Sequence, residues 1–368
     1  RVSKSNALKI LTVIGARPQF VKSSTVSRVL NSKKFNDIKE VTVHTGQHYD
    51  DNMSGLFFRE LGIPTPLYNL NVGSGSHAQQ TGLIMTKLES VVEVESPDLI
   101  LVYGDTNSTL AGALVAAKKP CKLAHVEAGL RSFRKGMPEE VNRVVTDSIS
   151  DILFCPTVTA INNLVLEGRG DNALLVGDVM YDSYVYYSNK MNSDEVLSGF
   201  GLQHDNYLLA TIHRAENTDN PKYLYNIFSS LQSISTDMRI VLPLHPRTKK
   251  MVEKLAISLN GISIIDPVSY QTMISLLNGA SLVITDSGGL QKEAYFARVP
   301  CVTIRDETEW VETLENGWNR LVSPNNKDNI VASLKSTLHM DIANSPYLEN
   351  YGTGDAAQQI IDSILERM

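Results

Sequence analysis

Two doubly wound α/β domains facing a cleft are what this chain predicts, on three observations. β-rich runs alternate with helix-length amphipathic segments, the pattern of parallel βαβ units. The alternation occurs twice, on either side of a polar segment, YYSNKMNSDEVLSGFGLQHDN, that reads as a turn-rich hinge. A length of 368 residues exceeds one comfortable core, so two domains are expected.

In the first half the expected strands are KILTVIG (Lys9 to Gly15), EVTVHT (Glu40 to Thr45), LILVYG (Leu99 to Gly104), KLAHVE (Lys122 to Glu127) and DILFCP (Asp151 to Pro156). The second series is YLLATIH (Tyr207 to His213), RIVLPL (Arg239 to Leu244), ISIIDP (Ile262 to Pro267), SLVITD (Ser281 to Asp286) and CVTIRD (Cys301 to Asp306). The tail GDAAQQIIDSILERM carries apolar residues at helical spacing after a Gly-rich turn and is expected to be a helix. The division expected is a Rossmann-like domain at 1–187, a second at 188–350, and a terminal helix at 351–368 that packs back on the first.

A composition of 42% hydrophobic and 20% charged residues is that of an ordinary globular protein. The net charge of −6 argues against nucleic acid or an anionic membrane as the main partner. It leaves an anionic small molecule open, because a local basic pocket outvotes the global sign. No apolar run approaches the roughly 20 residues that span a bilayer. The stretch RVSKSNALKILTVIG has no small-residue cleavage site, so a cytoplasmic protein is expected. Cys121, Cys155 and Cys301 are odd in number, widely spaced and placed in or beside apolar runs, which predicts buried thiols rather than disulfides. With no HExxH and no Cys/His pair at ligand spacing, no protein-bound metal is expected.

No GxGxxG follows any strand, so no nicotinamide site is expected. The first strand ends instead in GARPQF, where Gly15 permits a tight turn and Arg17 stands at the start of the next helix. A guanidinium beside free helix N–H groups favours a phosphate; an arginine merely capping a domain edge is the competing reading. In ITDSGGLQKEA a strand runs into Ser287, Gly288 and Gly289 and then a helix, so backbone N–H groups can approach a diphosphate. Glu293, one turn on, is placed to accept from ribose hydroxyls, unless it is simply solvated. Asp105, Glu127, Glu140 and His213 fall at or just beyond strand ends, where ligands bind in open α/β sheets. Singly, Asp105 reads as a helix cap, Glu140 as a partner of Arg143 and His213 as a core histidine; together they resemble an acid/base set.

The motifs GARPQFVK, HTGQHYD, VYGDTNST, HVEAGLR, PEEVNR, HRAEN, TDSGGLQKEA and RDETEW run in order from end to end. In this the chain resembles the non-hydrolysing UDP-N-acetylglucosamine 2-epimerases. The resemblance implies a glycosyltransferase B-like fold with a UDP-sugar in the cleft, interconversion of UDP-GlcNAc and UDP-ManNAc, no cofactor, a homodimer and a role in surface polysaccharide biosynthesis. It implies Asp105, Glu127, Glu140 and His213 as the catalytic group. It puts Arg17 and His213 with Ser287, Gly288 and Gly289 around the diphosphate and Glu293 on the ribose, while Lys22 matches another cleft position.

Departures from the widespread pattern bear on substrate. GDTNST, HRAEN, QKEA and TEWVE stand where that pattern reads GDTTTT, HRREN, QEEA and TERPE. This wording is closer to the branch that epimerises UDP-2,3-diacetamido-2,3-dideoxyglucuronic acid, whose carboxylate would welcome a cation such as Arg134, Lys135 or Arg247. The rival functions are a UDP-sugar transferase of the same fold, a hydrolysing epimerase, and a sensor that binds without turnover.

Overall fold

The computed structural model describes residues 7–35, 37–48 and 55–368. The first six residues, and Tyr49 and Asp50 of HTGQHYD, lie outside the described residues. The chain forms two compact units, one of Arg1–Ser183 with Glu349–Met368 and one of Tyr184–Leu348.

In the first unit the strands are β1 (Leu8–Ile14), β2 (Ile38–His44), β3 (Tyr68–Asn69), β4 (Leu99–Tyr103), β5 (Lys122–Val126), β6 (Ile152–Cys155) and β7 (Ala173–Leu175). They lie side by side in the order β3-β2-β1-β4-β5-β6-β7, every pairing parallel. Alternation along each strand sends successive side chains to opposite faces. Thus Ile10, Leu99, Leu101 and Tyr103 join one buried cluster, and Leu11, Val13, Ile100 and Val102 join another. The terminal helix Ala356–Arg367 completes the first cluster through Ile360, Ile361 and Ile364. Its opening N–H groups, those of Ala356 and Ala357, donate to the buried carboxylate of Asp182 at 3.1 and 2.8 Å.

The second unit holds β8 (Tyr207–Thr211), β9 (Arg239–Pro243), β10 (Ile262–Ile265), β11 (Leu282–Thr285), β12 (Cys301–Thr303) and β13 (Asn319–Leu321). Their order is β10-β9-β8-β11-β12-β13, again parallel throughout. Both sheets therefore reverse direction once, between β1 and β4 and between β8 and β11. Such switch points are where open α/β sheets bind ligands.

Three strands go beyond the expected set: β3, β7 and β13 have two or three residues, too few for a period to show. The segment read as a turn-rich hinge is instead largely helical, Val179–Lys190 and Ser193–Gly199. Asn192 caps the second of these helices, and Leu197 anchors it, so the polar residues that suggested turns are a cap and solvated faces. Cys155 and Cys301 are buried as expected, whereas Cys121 is only half-buried; all three are free thiols. No described helix is long and apolar enough to cross a membrane.

Candidate active site

At the switch point of the first sheet, β1 runs into Gly15 and β4 into Gly104. A Cβ on Gly15 would lie 2.0 Å from Ser108 Oγ and 2.5 Å from Thr45 Oγ1, so only glycine fits. The two turns are tied by Gln19, whose side-chain oxygen accepts from Gly15 N–H at 2.8 Å and whose amide donates to Tyr103 O at 2.7 Å. Nothing in the pattern singled out Gln19; its place inside GARPQF was the one available signal. A cavity of about 340 Å³ opens here, lined by Arg17, Gln19, Lys22, His48, Gly104 and Asp105 among others. Arg17 is the first residue of the helix Arg17–Leu30, and its guanidinium lies 4.8 Å from the centre of the Phe57 ring.

The three carboxylates each have a cation. Asp105 Oδ2 accepts from Arg143 Nη1 at 2.7 Å, and Glu140 Oε2 accepts from Arg143 Nη2 at 2.7 Å, so one guanidinium holds two acids. Asp105 does not cap the next helix; Thr106 does, accepting from Thr109 N–H, which leaves the aspartate side chain 36% exposed. Glu140 also accepts from the backbone N–H groups of Ser132 and Phe133, both at 2.9 Å. Burial works to raise its carboxyl, but the Ser132 N–H, Arg143 and the Phe133 N–H together hold it below the ordinary range. Glu127 pairs with Lys22 Nζ at 2.5 Å. Burial works against the Lys22 ammonium, yet Glu127, with Asp105 and Asp178 behind it, holds its pKa above normal.

Glu127 has φ 66°, a left-handed backbone that costs a glutamate on the order of 1–3 kcal/mol. The flanking turn enforces it. Ala128 N–H donates to Phe154 O at 3.0 Å, and Gly129 N–H to Asp147 Oδ2 at 3.0 Å. Asp147 is also held by His125 at 2.6 Å and Arg131 at 2.7 Å, and Arg131 forks onto Glu167. Arg131 therefore serves the turn, and Arg143 is the cation that holds Asp105 and Glu140.

The second unit repeats the plan with other chemistry. Asp286, fully buried at the end of β11, accepts from the backbone N–H of His213 at 3.1 Å and of Arg214 at 3.0 Å. Its Oδ1 also lies 3.6 Å from His213 Nδ1. His213 is thus no core histidine: its side chain is 41% exposed, aimed by a buried carboxylate that the sequence reading passed over. The next residue, Ser287, caps the helix Gly288–Phe296 by accepting from Leu290 N–H. Gly288 and Gly289 open that helix, and a Cβ on Gly288 would meet Glu309 Oε1 at 2.9 Å, so side chains back the bare first turn there. Glu293 is 5% exposed, which removes its reading as a solvated residue. Of the proposed substrate cations, Arg247 is engaged by Asp219 at 2.6 Å, and Arg134 and Lys135 stand exposed in the loop beside Glu140. The described residues hold no group of His, Cys, Asp and Glu fit for a metal.

The sequence profile of the UDP-N-acetylglucosamine 2-epimerase family matches residues 31–365. A UDP-2,3-diacetamido-2,3-dideoxy-D-glucuronate 2-epimerase of Pseudomonas aeruginosa is 49% identical over 96% of this chain and 99% of its own. A UDP-N-acetylglucosamine 2-epimerase of Methanococcus maripaludis is 43% identical over 97% and 98%. The solved structure of the Methanocaldococcus jannaschii UDP-GlcNAc 2-epimerase in complex with UDP-GlcNAc and UDP superposes with a TM-score of 0.87 at 41% identity, covering 98% of this chain and 99% of that one. The Neisseria meningitidis enzyme bound to UDP-GlcNAc gives 0.87 at 29%, covering 98% and 100%. This likeness bears out the glycosyltransferase B-like fold expected from the motifs. With the profile and the relatives spanning nearly all of the sequence, the chain belongs to the UDP-N-acetylglucosamine 2-epimerase family.

Proposed function

We propose that this protein epimerises carbon 2 of a UDP-2-acetamido sugar without hydrolysing it, by eliminating and re-adding UDP. The observation that carries the reading is the arrangement in the first unit: Asp105 and Glu140 held by Arg143, and Glu127 by Lys22, at the strand-order switch. The carbon 2 hydrogen is barely acidic, and no nicotinamide motif offers a route through a ketone. In the elimination route a carboxylate takes the carbon 2 proton while the carbon 1 to oxygen bond breaks. UDP departs with that electron pair and leaves a 2-acetamidoglucal. Return of a proton to the opposite face and re-addition of UDP to carbon 1 invert the centre. This needs an acid/base group for each face and a cationic, donor-rich home for the departing diphosphate.

In this reading Asp105, Glu127 and Glu140 share the proton transfers. Arg17, His213 and the turn Ser287, Gly288 and Gly289 hold the diphosphate, and Glu293 holds the ribose. Lys22 orients Glu127 through their ion pair. UDP-2,3-diacetamido-2,3-dideoxyglucuronate is the favoured substrate, on the motif wording and the Pseudomonas aeruginosa relative. A homodimer and a role in surface polysaccharide biosynthesis rest on the family resemblance, and a cytoplasmic site of action is carried forward from the sequence reading.

Proton NMR of the diacetamido uronate and of UDP-GlcNAc, each with enzyme in heavy water, tests substrate and reaction together. Expected is the manno epimer with deuterium at carbon 2 and UDP still attached. Transfer to an acceptor, release of free sugar, or binding without deuterium entry would replace the reading with a transferase, a hydrolase or a sensor. Turnover of UDP-GlcNAc alone would reverse the substrate choice.

A further inference from the structure

Two of the departures noted in the sequence, QKEA and TEWVE, touch in the fold. Lys292 and Trp310 are 0% and 5% exposed, and the Lys292 ammonium lies 3.5 Å from the centre of the Trp310 ring. Gly288 and Lys292 are four apart on one helix and so share a face. That face meets the loop after β12. Trp310 Nε1 lies 3.9 Å from where a Gly288 Cβ would stand, with Arg305 Nη1 at 3.8 Å, and Arg305 itself pairs with Glu309 at 3.1 Å. The loop is fastened on both sides. Thr308 donates to Gln291 Oε1 at 2.8 Å, and Asn319 Nδ2 donates to the same oxygen at 3.0 Å. Trp310 O accepts from Thr313 Oγ1 at 2.7 Å.

A fully buried cation near the positive end of a helix is electrostatically disfavoured. The indole face offsets part of that cost, and by doing so it fixes the spacing between the loop and the turn at Gly288. We infer that Lys292 and Trp310 are a positioning pair for the diphosphate, setting the turn at Gly288 and Gly289 without touching the substrate. The inference rests on UDP binding at that turn, as proposed above.

The test is calorimetric titration of wild type, Lys292→Met, Trp310→Leu and the double variant with UDP and, separately, with uridine. Each single change should weaken UDP about tenfold, the scale of a desolvated cation on a ring, and leave uridine unchanged. The double variant should be no worse than either single, and Trp310→Phe, which keeps a ring face, should recover most of the loss. UDP affinity held within about twofold in the singles, losses that simply add, or equal losses for UDP and uridine would each overturn the pair. Should Lys292→Met fail to fold, Trp310→Leu against Trp310→Phe decides by the same readings. A wild-type protein that does not bind UDP at all would sink the proposed function itself, an outcome distinct from failure of the pair.

Discussion

Arg131 and Arg143 both follow β5 in the chain, and each guanidinium bridges two carboxylates, yet the two networks differ in where their exposed carboxylate lies. Arg131 joins Asp147, 1% exposed, to Glu167, and Asp147 in turn grips His125 and the N–H of Gly129. Arg143 joins Glu140 to Asp105, and the Asp105 side chain is 36% exposed beside a cavity. In the first network the exposed carboxylate, Glu167 at 37%, closes the helix Val158–Leu166, and the buried one, Asp147, holds the backbone turn that follows Glu127. The second keeps one carboxylate within reach of a ligand. On the proposed reading, the same pairing is structural or catalytic according to whether a cavity lies next to its exposed carboxylate.

The largest effect that would break this comparison is on activity. Asp105→Asn, Glu127→Gln and Glu140→Gln should each slow epimerisation by about 10²–10⁴-fold per folded molecule, read by NMR in heavy water, with the melting curve of Asp105→Asn, whose side chain is 36% exposed, close to wild type. Near wild-type turnover in all three would mean that the second network is as structural as the first.

Asp147→Asn should do the reverse. Breaking a buried pair typically costs about 3–5 kcal/mol, so denaturant titration should show a large loss of stability, while turnover per folded molecule changes far less. Equal damage to activity at full stability would assign Asp147 to the chemistry.

Next in size, His213→Asn or Arg17→Ala should remove a charge-assisted contact to the leaving diphosphate, worth about 1.5–3 kcal/mol. Positional scrambling of the bridging phosphate oxygen should then slow in step with epimerisation. Carbon 2 exchange without any scrambling in the wild type would exclude elimination.

The smallest effect sharpens the contrast between sealed carboxylates. Burial pushes Asp182 up to about 6 from an ordinary 3.8, ahead of the opposing N–H groups of Ala357 and Ala356. Its folded pKa is raised, so its contribution to stability is full below 3.8 and lost as pH rises through about 6. Burial also works to raise Asp147, but His125 and Arg131 outweigh it and hold its pKa below 3.8, so its contribution is present above 3.8 and lost as pH falls through the lower value. Melting temperatures across pH should show Asp182→Asn flattening the decline toward neutrality and Asp147→Asn removing the acid limb. Slopes of the same sign would refute the distinction.

Much of this was legible in the chain. β-branched runs and helical spacing depend on neighbours two to four residues away, so the central strands of both sheets and the terminal helix could be read directly. The order of the motifs pointed to the family, and the candidate residues were named because strand ends are recognisable from the same local signal. Gly15 was equally local, as backbone freedom acts within a turn, whereas the cap at Ser287 came only with the structure.

What the local pattern could not decide was partnership. Arg143, on the helix after β5, reaches Asp105, just after β4, because β4 lies beside β5, a neighbourhood set by packing across the sheet rather than by local pattern. The same holds for Gln19 tying two turns, for Asp286 aiming His213, and for Lys292 meeting Trp310. Periodicity is a property of a segment, whereas the choice among several nearby opposite charges is made only when strand ends far apart in the chain are brought side by side. The sequence by itself therefore determined which residues are available at the strand ends, and the tertiary structure determined which of them each cation holds.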